Sequence, residues 1–241
     1  MLNLIYNEYL KIKKSKVIVI FLLSQIALIW INASVYNPKD SSWELASILT
    51  FPSDMLDIYT QLLIFFVPII ISQIVTEDLL GGTLKLNIMN EPVRYKHLLS
   101  KLLSFLLVIL FSTFFFLLTC YLIGVIYLNN TWQIDFYRRG SSSLDDFLYT
   151  LVNYSKLLMP IFAYGSVTML LGLFIKSPIS VNITMIFLCV FFFNTQIGQK
   201  LTSLQVIGYR DILPIIVLSL LIGVFSFLFG TVLFKNKDIL Y

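Results

Sequence analysis

The sequence predicts an all-α fold: a polytopic membrane protein with six transmembrane helices and an N-terminal interfacial amphipathic helix. Three observations carry this. The 241 residues are 58% hydrophobic and only 12% charged, with a mean hydropathy of +0.88. A soluble domain of this length would carry about 25% charged residues. The apolar residues fall in runs of membrane length, since a spanning helix needs about 20 of them. No loop between the runs is long enough to hold a separate soluble domain, so residues 1–241 read as one transmembrane domain.

Residues 2–16 open the chain. Leu2, Ile5, Tyr6, Tyr9 and Ile12 recur at helical spacing, with Asn3, Asn7, Lys11 and Lys14 opposite. Such a helix rests in the membrane interface with its apolar face down. Glu8, Lys11 and Lys14 are its charged positions.

Span one is 17–35. No small-residue cleavage site follows it, and it ends in Tyr36-Asn37-Pro38-Lys39, so we expect a retained helix and not a removed signal peptide. Span two is 58–75. Span three, 102–128, is uncharged and longer than needed, so it must tilt or protrude. Span four is 157–175, where Pro160, Gly165 and Gly172 allow a kink or close packing. Span five is 179–197, separated from span four by Lys176-Ser177-Pro178, and span six is 212–234.

Lysine and arginine set the orientation. With the N-terminus inside, the inner side holds Lys11, Lys13, Lys14, Lys16, Lys85, Arg94, Lys96, Lys101, Lys176, Lys235 and Lys237. The outer side holds Lys39, Arg138, Arg139, Lys156, Lys200 and Arg210. This bias predicts that both termini are cytoplasmic. The outer loops are then 36–57, 129–156 and 198–211. The second carries Ser141-Ser142-Ser143 and Asp145-Asp146, the pattern of a solvated turn. Asn194-Thr195-Gln196 and the residues after them fit either a plain loop or a short re-entrant segment.

Several function classes are excluded. The spans hold almost no ionisable groups, whereas ion-coupled transporters and pumps keep them in the membrane core. One histidine, no metal-spaced His/Cys/acid cluster and no Gly-x-Ser-x-Gly leave no catalytic set, so the chain is not expected to be an enzyme. No Walker A loop is present, and no cofactor is expected on this chain. Cys120 and Cys189 lie in apolar runs and read as small packing residues. The net charge of +4 fits basic cytoplasmic edges and not nucleic-acid binding. The uncharged polar residues of the spans either join helices or line a path. Gln61, Gln73, Asn182 and Asn194 are the path candidates.

The central segment 76–101 stands apart. Of the chain's 17 basic and 13 acidic side chains it holds seven: Glu77, Asp78, Lys85, Glu91, Arg94, Lys96 and Lys101, together with the lone His97. Gly81-Gly82 can break span two, Thr83 can cap a new helix and Pro92 can help end it. Leu84 and Ile88 give that helix an apolar edge.

Glu77-Asp78, then Gly82-Thr83-Leu84, then Pro92-Val93-Arg94 and Lys101 resemble the cytoplasmic loop of type-two ABC exporter permeases. That family's pattern is an acid, Gly-Thr-Leu, a short helix, a proline and arginine, and a lysine opening the third span. Asn7-Glu8-Tyr9-Leu10-Lys11 resembles the family's opening Glu-x-x-Lys. Pro92 stands one residue late, and Leu79 and Leu80 replace residues that are commonly charged. The resemblance spans the chain. It implies a bacterial cell-membrane permease subunit whose residues Glu77, Asp78, Gly82, Thr83, Leu84, Ile88, Pro92 and Arg94 couple to a separate ABC ATPase. That ATPase would hold ATP and Mg. A second permease chain, identical or paralogous, would complete the pathway within membrane lipid. Amphipathic, antimicrobial or cytotoxic peptides are the implied cargo. Lipid, drug or polymer export is the alternative, as is a membrane scaffold or regulator without a path.

Overall fold

The computed structural model describes residues 2–35, 51–77, 94–127, 143–175, 177–193 and 209–236. Among these residues every regular element is helical. In order they are α1 (Leu2–Lys13), α2 (Lys16–Val35), α3 (Phe51–Asp54), α4 (Leu56–Ser72, continued by a π-turn at Gln73–Glu77), α5 (Arg94–Tyr127), α6 (Ser143–Phe174), α7 (Pro178–Phe193) and α8 (Tyr209–Asn236).

Five of these are long and apolar enough to cross a membrane: Lys16–Ser34, Leu56–Thr76, Tyr95–Tyr127, Phe147–Phe174 and Ile216–Phe234. The expected fifth span is the exception. α7 has 16 residues, about 24 Å at 1.5 Å per residue, against a hydrocarbon core of about 30 Å. Its expected last residues, 194–197, lie outside the described residues.

Two boundaries differ from expectation. Arg94–Lys101 belongs to α5 and not to the central loop, because Leu98 and Leu102 continue one buried apolar stripe through the charged stretch. Ser143–Lys156 is helix and not loop, so Asp145-Asp146 is no turn. There Thr150, Asn153 and Tyr154 are polar but buried, at 1%, 1% and 2% exposure. Their polarity hides a face packed inside the bundle.

α4, α5 and α6 form the interior. α4 touches α2, α3, α5, α6 and α7, and α8 lies along α6. Half or more of the α4, α5 and α6 windows is buried (56%, 56% and 50%), against 28% for α2 and 22% for α8. The two outer helices therefore turn most of their apolar surface outward, as a bilayer solvent permits. Glycines set the closest approaches. A Cβ on Gly165 would lie 2.5 Å from the Phe105 ring, and one on Gly223 would lie 2.4 Å from the Phe162 ring. The second contact seats α8 on α6. Cys120 and Cys189 are buried free thiols that fill space in this core.

The polar residues of the spans serve mostly their own helices. Ser24, Asn32, Ser72 and Thr184 each donate to a carbonyl three or four residues earlier. This back-bonding satisfies a hydroxyl or amide without a partner helix. Gln25 does cross, donating to Ser112 at 2.6 Å.

Candidate functional site

The break between α1 and α2 is local chemistry. Ser15 Oγ accepts the Val17 N–H at 3.2 Å and so caps α2. Its hydroxyl also donates to Gln73 Oε1 at 2.8 Å, tying the elbow to the end of α4. α1 then folds back on α5. The face it buries is not the purely apolar one expected. Glu8 is 7% exposed and Ile12 4%, whereas Tyr6 is 61% exposed.

Glu8 is buried because it has partners. Its Oε2 lies 3.4 Å from Lys101 Nζ, and its Oε1 lies 3.3 Å from Lys11 Nζ. Lys101, 4% exposed, also donates to the Ile74 carbonyl at 2.6 Å. That carbonyl sits in the π-turn, where the regular ladder of α4 gives way. A lysine at a helix C-terminus satisfies a freed carbonyl and complements the negative end of the helix dipole. Two buried charges thus join three elements: α1, the end of α4 and the start of α5. Ser104 Oγ, 3.0 Å from the Ile5 carbonyl, adds a second tie between α1 and α5.

His97 and Lys101 also line a small apolar cavity with Val75, Leu173 and Phe234. The end of α6 and the end of α8 therefore reach the same end of the bundle as α1. Gly172 packs there against Val75 and Thr76 of the π-turn.

The predicted coupling residues divide. Glu77 closes the π-turn three residues past Ile74, and Arg94 opens α5 seven residues before Lys101. Asp78, Gly82, Thr83, Leu84, Ile88 and Pro92 lie outside the described residues. Of the interfacial set, Glu8 and Lys11 are in the junction, and Lys14 lines an adjoining cleft. The path candidates are not brought together. Gln61 is exposed on α4, Gln73 is held by Ser15, and Asn182 is half-buried on α7. Asn194 lies outside the described residues.

A polar seam at the other end was missed from sequence. Tyr59 bonds Thr113 at 2.8 Å, Ser53 bonds Thr150 at 2.8 Å, and Tyr154 donates to the Pro52 carbonyl at 2.7 Å. The hydroxyls at 150 and 154 recur at helical spacing, which is the signal that could have found them. The role of Lys101 had a signal too: Glu8 is the one acid in an otherwise basic N-terminal segment, and a buried carboxylate needs a cation.

No protein-family model matches this chain, and no curated protein matches it either.

Proposed function

We infer that the chain is the permease subunit of an ATP-driven exporter of the ABC type, multi-pass in a bacterial cell membrane with both termini cytoplasmic. The observation that carries this reading is the Glu8–Lys101–Ile74 junction. The segment 78–93, which bears Gly82-Thr83-Leu84 and Pro92, connects the π-turn to α5 in the chain. The two elements that flank it are joined by Lys101, which donates to the Ile74 carbonyl of the π-turn and pairs with Glu8 of α1. A push on that segment by a partner would move α4, α5 and α1 together, which is what a coupling element requires. ATP and Mg belong to the partner ATPase in this reading, and a second permease chain completes the path. The cargo is amphipathic or hydrophobic, with antimicrobial or cytotoxic peptides foremost. The spans' low charge favours such cargo over ions or sugars.

The test is reconstitution. The purified chain alone should show no ATP hydrolysis, and copurification should recover an ATPase whose turnover depends on the chain. Arg94→Ala, Glu77→Ala with Asp78→Ala, and Leu84→Asp should each leave membrane insertion intact and reduce ATPase association. Robust hydrolysis by the chain alone, or normal association in all of these variants, would end this reading. Orientation is checked separately. A single cysteine at Ser142 should react with an impermeant thiol reagent on intact cells, and one at Asn87 should not.

A further inference from the structure

We propose that the cleft beneath the α1–α2 elbow binds the headgroup of an anionic phospholipid drawn from the bilayer that the helices span. The cleft holds about 240 Å³. At about 30 Å³ per water molecule, that is room for a phosphoglycerol group and not merely for a single ion.

Its walls are amphipathic. Lys11, Lys14, Ser15 and Gln73 form a polar rim, and Lys14 is exposed. Ile18 and Ile70 form the apolar lining, at 8% and 1% exposure. A soluble anion would use only the rim. A phospholipid uses both, with phosphate at the lysines and its glycerol and upper acyl carbons against the isoleucines.

The charge is of the right sign. Glu8 also lines the cleft, but it carries one negative charge against the two positive charges of the lining residues Lys11 and Lys14, and it is already paired with Lys11 and with Lys101 behind the cleft. Lys13 and Lys16 stand exposed on the same elbow. Four lysines within six residues beside a spanning helix are the pattern that attracts anionic headgroups. The placement also fits, because α2 begins its crossing at Lys16 and headgroups lie at that depth. A bound lipid would bridge the elbow to the π-turn, beside the Ser15–Gln73 bond. The proposal rests on the membrane-embedded fold and not on the transport reading.

The test places the chain in nanodiscs of equal phosphatidylglycerol and phosphatidylcholine and counts retained lipids by native mass spectrometry. The wild type should retain phosphatidylglycerol in preference. Lys14→Gln should weaken that retention about fivefold, and Lys14→Arg should preserve it. Lys13→Gln, which removes the same charge outside the cleft, should change it by less than about twofold. Equal losses in Lys13→Gln and Lys14→Gln would reduce the effect to diffuse attraction and overturn the site. So would equal retention of the two lipids, or a loss in Lys14→Arg as deep as in Lys14→Gln. Displacement of phosphatidylglycerol by millimolar inorganic phosphate would reassign the cleft to a soluble anion.

Discussion

The two ends of the bundle solve the same problem with different chemistry. At each, a short helix outside the main spans is fastened onto the interior helices. At one end α1 is held by a buried carboxylate and a buried ammonium that also takes a backbone carbonyl. At the other, α3 is held by neutral hydroxyls, Ser53 on Thr150 and Tyr154 on the Pro52 carbonyl, over packed rings of Tyr59 and Phe116 at 4.4 Å. A neutral hydrogen bond contributes about 0.5–1.5 kcal/mol net, and its loss is graded. A buried ion pair adds little net stability, yet removing its buried partner leaves Glu8 with only the half-exposed Lys11, a loss of about 3–5 kcal/mol. The charged end is therefore the all-or-none end, and it is the one from which segment 78–93 departs.

The largest expected effect tests that contrast directly. Lys101→Ala should lower the unfolding free energy in detergent by about 3–5 kcal/mol, read as earlier reaction of the buried thiols Cys120 and Cys189 with a fluorogenic maleimide on heating. Glu8→Leu combined with Lys101→Met, which removes both charges, should recover most of the loss. If Lys101→Ala proves as mild as a hydroxyl deletion, the two ends do not differ as argued.

An intermediate effect is expected between the ends, where close packing replaces polar ties. Gly223→Leu drives side-chain atoms into the Phe162 ring and toward the Ala163 backbone, 3.3 Å from the added Cβ. Overpacking of this kind costs about 1–3 kcal/mol. Gly230→Ala meets only ordinary contacts at 3.6 Å, so its thermal midpoint should hold or rise.

The smallest effect belongs to the neutral end. Tyr154→Phe keeps the ring and deletes the bond to Pro52, and should cost about 1 kcal/mol. The same thiol-reactivity curve measures it. A loss above that of Lys101→Ala would reverse the ranking of the two ends.

Much of the fold was legible because bilayer thickness imposes one length on every crossing. The five long spans announce themselves by apolar runs of membrane length. The first half of α6 is hidden in the sequence because Thr150, Asn153 and Tyr154 look like loop residues, whereas Thr150 and Tyr154 bond to α3 and Asn153 accepts from Lys156 on its own helix. The junction was harder still. Glu8 and Lys11 are one helical turn apart, and a sequence shows that pair readily. Glu8 and Lys101 are 93 positions apart, and no local pattern joins them. Gln61 and Gln73 share a helix but not an environment, since one is exposed and the other is held by Ser15.

That separation has a consequence in time. A ribosome adds about 5–20 residues per second, so roughly 5–20 s pass between the synthesis of Glu8 and that of Lys101. During that interval the carboxylate has only Lys11, its neighbour on the same helix, for company. Burying a carboxylate so weakly compensated is costly, so the contact of α1 with the bundle is expected to form only after Lys101 is made. Docking of α1 on α5 thus waits for the arrival of a lysine 93 positions further along the chain.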